Sequence, residues 1–514
     1  MGKGGDGRTG VVSTRSPELV AAHEVGCKTY AWSQIEKHCS PDDAWIVHDG
    51  RVYDISSWCA LKQLRACLLP TPLTAKERLS ALSVCCVART DHPGGAVIFS
   101  HAGGDVTDVF ASFHKGETRH LLHQFYVGDL DPESEKRRKG ADQIAFEKAY
   151  RELRSKLLAS GFFQASLTFY LWKCVSNMVL LAGAVALCML DWLPAQIISA
   201  ILLGLFWQQS GWLAHDFLHH QVFRQRWAGD LGGMLWGNVL QGYSMGWWKT
   251  KHNSHHAMPN VHGSSAEESA VHRSGDPDID TMPLLAWSLH HANTFRLKCM
   301  RSRFYLTLIK WQSVTYLPIL LLARLSWLHE SFRYAFSGPN EVSVDKLKYP
   351  FLEKLGLVVH WAWVLFLSSG FGRFSLVMSA AYFLIATCSC GFFLGIVFGL
   401  GHNGMSTYEF KKRPDFWKLQ VTTTRNIVGG HGFSHSFVNW FCGGLQYQVE
   451  HHLFPSMPRH NLAKAHPIVD AFCKTWQVNY HQADIVYGTL EVIRHLASVA
   501  DTFAMDFVRE FPAM

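Results

Sequence analysis

Hydrophobic and polar positions change their pattern twice along this chain. Residues 29–130 are mixed and soluble in character. Within them, Asp43-Ala-Trp-Ile-Val-His48 and Gly50-Arg-Val-Tyr-Asp-Ile-Ser-Ser-Trp58 predict a strand–turn–strand with Asp49-Gly50 at the turn. A charged run, Glu133-Ser-Glu-Lys-Arg-Arg-Lys139, marks a linker, and residues 142–160 predict an amphipathic helix with Ile144, Phe146, Tyr150, Leu153, Leu157 and Leu158 on its apolar side. Long apolar runs follow. Residues 168–190 are long enough to cross a bilayer, Asp191-Trp-Leu-Pro194 is a short turn, and 195–214 return. Residues 357–370 and 374–400 form a second pair joined by Gly370-Phe-Gly-Arg373. Two further segments, 231–248 and 304–329, are apolar but less clear, the second because it carries Lys310, Gln312 and Arg324.

The bulk numbers fit that segregation. The chain has 514 residues and is 48% hydrophobic, yet its mean hydropathy is only +0.02, so the apolar content is concentrated. Its 19 Trp, 33 Phe and 15 Tyr suit membrane interfaces, although a large core also absorbs aromatic residues. The net charge of +7 does not indicate nucleic-acid binding, because the basic residues are scattered among acids. The 13 cysteines lack zinc spacing and read as reduced thiols. Residues 1–28 read as a flexible tail, with no apolar stretch of the kind a cleavable signal peptide needs.

Three histidine clusters flank the apolar runs: His215-Asp-Phe-Leu-His219-His220, His252-Asn-Ser-His255-His256 and Gln448-Val-Glu-His451-His452. On a helix, positions i, i+3 and i+4 share a face, so each cluster offers two or three side chains to one point. One histidine on an apolar helix is usually a core residue; eight in three spaced clusters are hard to explain as packing. Eight imidazoles exceed the four ligands of one tetrahedral zinc. They suggest two metals held between helices, and iron is the usual choice where oxygen chemistry follows. To share a metal site the clusters must meet on one side of the membrane. Four crossings preserve that and a fifth does not, so 231–248 and 304–329 are expected to be interfacial or re-entrant. The basic residues at 136–139 and 148–156 precede the first span and place that side, with the N-terminal domain, in the cytosol.

In the N-terminal region His92-Pro-Gly-Gly95 is followed by Phe113-His114. Two histidines 22 residues apart, on helices flanking a pocket, can clamp a haem from both faces, and such a site transfers electrons rather than activating O₂. This region resembles the cytochrome b5 family, and the resemblance implies a small α+β fold, haem b, and His92 and His114 as axial ligands. His101, His120 and His123 are read as surface residues. One departure stands out: 33 residues, Cys59 through Asp91, separate Trp58 from His92 where the family has only a few. The segment is either a tolerated surface insertion or translated intron sequence. Its composition, unlike its surroundings, favours the second.

The three clusters behind a cytochrome b5 region resemble the front-end acyl desaturases over nearly the whole chain, and the glutamine opening the third cluster is what separates that group from hydroxylases. Gln208-Gln-Ser-Gly-Trp-Leu-Ala-His-Asp-Phe-Leu-His-His220, Gly275-Asp-Pro-Asp-Ile-Asp-Thr-Met-Pro283, Phe398-Gly-Leu-Gly-His-Asn-Gly404 and Trp440-Phe-Cys-Gly-Gly-Leu-Gln-Tyr-Gln448 look most like the Δ6 enzymes of microalgae, diatoms especially. The resemblance implies a multidomain chain: a haem domain at 29–130, a linker and amphipathic helix at 131–165, and an all-α membrane domain at 166–514. That domain has about four transmembrane helices, interfacial helices and a cytosolic helical cap. It also implies a non-haem diiron centre held by His215, His219, His220, His252, His255, His256, His402, Gln448, His451 and His452, with O₂ as oxidant. His220 can equally be a neighbour of the site. Asp216 and Glu450, inside the clusters, are either hydrogen-bond partners of ligating imidazoles or solvated. His262, His272, His290, His291, His431, His435 and His460 lack cluster spacing and read as structural or surface residues.

Implied partners are NADH-cytochrome b5 reductase, an acyl-lipid or acyl-CoA substrate, and membrane lipid, with no nucleic acid. The implied location is the endoplasmic reticulum membrane. The reaction is removal of one hydrogen from each of two adjacent methylenes, giving a cis double bond between an existing double bond and the carboxyl end. Δ5, Δ8 and Δ4 front-end enzymes and a sphingolipid Δ8 desaturase are the near alternatives. A membrane-anchored haem protein that only donates electrons is a more distant one; it needs neither a second metal site nor more than one span.

Overall fold

The computed structural model describes residues 28–58, 92, 94–263, 275–336 and 347–510. The tail at 1–27 and the atypical segment 59–91 lie outside the described residues. The chain divides into two compact units, one of residues up to 57 with 101–163, the other of 58–100 with 164–514.

The first unit is built on short strands. β1 (Thr29–Tyr30), β2 (Cys39–Ser40), β3 (Asp43–His48), β4 (Arg51–Asp54), β5 (Gly104–Asp105) and β6 (Tyr126–Leu130) form one sheet in the order β1-β6-β4-β3-β2, with β5 on β3. β3 and β4 pair antiparallel, Val47 opposite Val52. The predicted turn is there: Asp49 and Gly50 both have positive φ, 50° and 72°, which matches the twist of a two-residue hairpin. α1 (Trp32–Ile35) packs Trp32 and Ile35 against Val47, Val52 and Leu130. α2 (Thr107–Phe113) leads into His114.

α3 (Pro132–Ala159) covers the predicted amphipathic helix and also the charged run read as a linker. The reason is local. The Asp131 side chain accepts from the backbone N–H groups of Glu133 and Ser134, Pro132 opens the first turn, and Glu133 and Glu135 suit the positive helix end. Gly140, at φ 75°, kinks the helix. Just before the kink Lys139 Nζ donates to Asp105 (2.9 Å) and Glu147 (2.8 Å), and beyond it Arg151 reaches Asp108 with two bonds of 2.8 and 3.0 Å, so α3 is tied to α2 and β5.

The second unit is helical. Among the described residues, four helices are long and apolar enough to cross a membrane: α4 (Leu167–Cys188), α5 (Leu193–Leu218), α13 (Pro350–Ser368) and α14 (Leu376–His402). Between them run α6 (Arg226–Gly233), a π-helical stretch (Met234–Gln241), α7 (Met245–Ala257), β7 (Val261–His262), α8 (Leu289–Thr294), α9 (Arg296–Arg301), α10 (Arg303–Lys310), α11 (Gln312–Leu320) and α12 (Ala323–Phe336). The ambiguous segments 231–248 and 304–329 therefore fall on short elements, none among the four candidate spans. After α14 come β8 (Tyr408–Glu409), α15 (Phe416–Thr422), β9 (Asn426–Ile427), α16 (Phe433–Phe441), α17 (Gln448–Leu453), α18 (Arg459–Thr475), β10 (Gln482–Ala483) and α19 (Ile485–Glu510).

α13 starts seven residues before the predicted run because Glu353 needs no solvent: its Oε2 accepts from Ser244 Oγ (2.6 Å) and Gly246 N (3.1 Å). The two hairpins are in register. Arg373, in the α13–α14 turn, pairs with Asp191 and donates to Met189 O (2.8 Å) in the α4–α5 turn. With both turns at one end, the C-termini of α5 and α14 and the N-terminus of α13 share the other. α5 and α14 pack closely at Gly204, where a β-carbon would come within 2.7 Å of Ala386 O.

Candidate metal centre

Four helix ends converge. α5 carries His215 in its last turn and His219 as its C-terminal cap, and α14 ends on His402. α7 is started by Ser244, whose hydroxyl accepts from Trp247 N, and presents His252, His255 and His256. α17 presents Gln448, His451 and His452 at i, i+3 and i+4. The approach of α17 depends on glycine. Gly443 has φ 60° and a β-carbon there would lie 2.4 Å from the Trp212 ring of α5.

The imidazoles form two groups. His215, His219, His252, His256 and His451 make one; His255, His402 and His452 make the other. In the first, the Nε2 atoms of His215 and His451 are 3.1 Å apart, those of His219 and His252 2.9 Å, and those of His252 and His256 3.0 Å. In the second, His255 and His402 approach to 3.2 Å, and the Gln448 amide lies 2.7 Å from His402 Nε2.

The Nδ1 partners decide what these contacts mean. His215 Nδ1 faces Asp216 (3.2 Å), His255 Nδ1 faces Asp276 (2.8 Å), His402 Nδ1 faces Thr423 O (3.2 Å) and His452 Nδ1 faces Gln420 Oε1 (2.9 Å). The Gln420 amide nitrogen donates to His256 O, which turns its oxygen to His452. Each of these partners only accepts, so the ring proton sits on Nδ1 and the lone pair on Nε2. His255 and His402 then point two lone pairs at each other, an arrangement a cation between them satisfies and a hydrogen bond does not. Buried His452 Nε2 has no partner. The donor set fits a metal that accepts imidazole, iron included.

The surroundings favour the neutral form of five of these rings. Burial first, and then neighbouring imidazoles, hold His219, His252, His256, His451 and His452 well below the ordinary histidine value. Burial lowers His255 too, but Asp276 outweighs it and the net direction is upward.

His220 does not join either group. α5 ends at Leu218, and His220 adopts φ 56°, so its ring leaves the face of His215 and His219. Its Nε2 lies 3.5 Å from Lys249 Nζ and 4.0 Å from Asp230. Of the two roles the sequence leaves open for it, this placement is that of a neighbour. Asp216 and Glu450 also separate. Asp216 touches His215 and is clamped by Arg459, whereas Glu450, fully buried, bonds Asn426 (2.8 Å) and Tyr480 and no ligand imidazole. His262 and His291 are buried together, with ring centroids 5.1 Å apart. His460 Nε2 accepts from Ser166 N (2.9 Å), and His290, His431 and His435 are exposed. His272 lies outside the described residues. In the N-terminal region, His92 Nδ1 faces Gly95 O (3.3 Å) and His114 Nδ1 faces Phe110 O (3.2 Å); His92 belongs to the second compact unit and His114 to the first.

Sequence reasoning missed Asp276, Gln420 and Arg459. Asp276 stands in the Gly275-to-Pro283 stretch singled out above without a role, and nothing in the sequence near Gln420 marks it.

A cavity of about 470 Å³ opens onto the centre. His215, His252, His255, His402, Gln448 and His451 line it together with apolar Tyr316, Leu320, Trp327, Phe398 and Leu445.

Known families account for this arrangement. The fatty acid desaturase family matches residues 190–483. The cytochrome b5-like heme/steroid binding domain matches 31–63 and 88–131, passing over 64–87. The acyl-lipid (9-3)-desaturase of Physcomitrium patens is 35% identical over 93% of this chain and 79% of its own length. In Caenorhabditis elegans, the delta(6)-fatty-acid desaturase fat-3 and the delta(5) fatty acid desaturase fat-4 are 33% and 32% identical, each over 80% of this chain and 92% of their own length. The chain belongs to the fatty acid desaturase family, as a front-end member with a fused cytochrome b5 domain.

Proposed function

We propose that this desaturase introduces a Δ6 cis double bond into polyunsaturated C18 acyl chains. The observation that carries the reading is the apolar cavity lined by both imidazole groups, which puts an acyl chain beside the centre. Two irons would be held here, one by His215, His219, His252, His256 and His451, the other by His255, His402 and His452 with Gln448 alongside. Together with O₂ the irons supply the oxidising power to take one hydrogen from each of two neighbouring methylenes. The protein's part is to hold the imidazoles in one tautomer through Asp216, Asp276, Gln420 and Thr423, and to keep water from the reacting carbons.

The proposed domains are a tail 1–28, a haem domain 29–130 interrupted at 59–91, a linker and helix 131–165 and a membrane domain 166–514. His92 and His114 would hold haem b, whose chemistry is electron transfer, here from NADH-cytochrome b5 reductase to the histidine centre. The enzyme sits in the endoplasmic reticulum with its histidines and haem domain in the cytosol, a placement supported by the basic residues before the first span.

The cavity lining supports an acyl-lipid substrate over acyl-CoA. Among the described residues its charged groups include Asp278, Asp280 and Glu330 against Lys251, apart from the Asp276–His255 pair. Such a mouth repels the several phosphate charges of coenzyme A and accepts a zwitterionic head group.

Δ5 and Δ8 enzymes are the second reading, favoured by relatives of nearly equal identity that carry those names. Yeast expressing the chain and fed linoleic and α-linolenic acids tests both, with double-bond position assigned by mass spectrometry. A new Δ6 bond, lost in His451→Ala, is the expected result. A new bond elsewhere keeps the chemistry and overturns the position.

A further inference from the structure

Away from the centre, one cluster joins surface charge to exposed apolar side chains. Asp230 of α6 is fully buried and receives Lys249 Nζ and Lys348 Nζ, the latter at 2.7 Å. Arg226, at the start of α6, is exposed and acts electrostatically on the same Asp230, Lys249 and His220. The other carboxylate acting on Lys249 is Glu353, also fully buried and committed to Ser244 and Gly246. Among the described residues these carboxylates therefore lie inside, while the cations reach the surface: the Lys348 side chain is 57% exposed.

Apolar surface lies beside these cations. Trp227, Leu231 and Leu235, spaced by four, are 59%, 44% and 50% exposed. Lys348 lies two residues before α13, whose first turns expose Phe351 and Leu355. The cluster thus stands at the histidine end of the spans, where the head groups of a bilayer meet its acyl chains. Cations above exposed Trp and Leu match a lipid with a negative head group.

We propose that Arg226 and Lys348 bind the phosphate of an anionic membrane phospholipid whose acyl chains lie against Trp227, Leu231 and Leu235. Zwitterionic phospholipid gains less there, because its own ammonium offsets the phosphate. The site is separate from the acyl cavity, and it depends on neither the Δ6 assignment nor iron.

Spin-labelled phosphatidic acid and spin-labelled phosphatidylcholine, each added to the full-length protein in phosphatidylcholine nanodiscs, test the proposal through the immobilised fraction of label. Phosphatidic acid should be preferred. Arg226→Gln with Lys348→Gln should lower that preference by about fivefold per residue, while Lys411→Gln leaves it intact. Where the double variant does not purify with its iron, Arg226→Gln alone gives the same reading from an exposed position. Equal association of the two lipids, or a preference unchanged in the variants, overturns the proposal. If soluble glycerol phosphate abolishes the preference, the site binds free phosphate, and the lipid assignment is wrong.

Discussion

The Asp276 carboxylate accepts a hydrogen bond from His255 Nδ1 at 2.8 Å, and the same Oδ2 accepts the backbone N–H of Asn260 at 2.8 Å. Its other oxygen accepts from Asp278 N at 2.9 Å. All three contacts demand an acceptor, and an asparagine side chain has only one. Asp276→Asn must therefore surrender either the loop bond or the hold on His255. Loss of such a partner typically costs 10–100-fold in metal affinity. Iron titration of the purified variant should show a loss of about that size, with desaturation falling in step. Iron affinity equal to that of the parent chain would show that His255 needs no such support.

What was legible in the sequence and what was not follows from the range of each contact. His252, His255 and His256 share a face because of helical period alone, and the spans announce themselves by length and hydropathy. The His255–Asp276 and His452–Gln420 contacts join residues 21 and 32 apart through tertiary packing, which leaves no periodic trace. His220 stayed ambiguous for a related reason. In the other two clusters the adjacent histidines lie within a helix, whereas His219 and His220 lie just past the end of one. The same letters then point different ways.

His220→Gln gives a direct check. Its ring sits by Lys249 and Asp230 rather than in either imidazole group. The variant should purify with the iron content of the parent chain, while His256→Ala, also the second of an adjacent pair, should lose most of it. Iron lost from His220→Gln to the same degree would return this residue to the ligand set.

Gly399 and Tyr316 set the width of the cavity between α14 and α11. A β-carbon at 399 would lie 2.1 Å from Tyr316 Oη but 3.4 Å from its Cζ. Gly399→Ala should thus push the phenol aside, and with it the cavity wall. Desaturation should fall about tenfold or more, on the order expected when positioning is lost by an ångström, with iron retained. Tyr316→Phe in the same chain removes the clashing oxygen and should restore much of the activity. A double variant no better than Gly399→Ala would place the defect elsewhere.

Residues 64–87 are passed over by the cytochrome b5 match, which resumes before His92. If haem binding belongs to the matched parts alone, a chain lacking 64–87 should keep the absorption spectrum of a bis-histidine haem. The parent chain and the shortened one, compared as purified reduced proteins, should give superimposable spectra. A shortened chain that loses haem would make the segment part of the domain.

Histidines outside the centre set a pH dependence of their own. Burial, followed by the charge of neighbouring histidines, pushes His262 and His291 down to about 4. In the unfolded chain both titrate near 6.5. As pH falls from about 6.5 towards 4, the unfolded state binds protons that the native state refuses, so stability declines through that window. Each group contributes up to about 3 kcal/mol across it. His291→Gln removes one of the two. Its apparent Tm in nanodiscs should fall less steeply on acidification than that of the parent chain, with the two curves meeting or crossing at low pH. Parallel curves would mean that His291 binds its proton equally in the folded and unfolded chain, which its buried, unpartnered Nδ1 argues against.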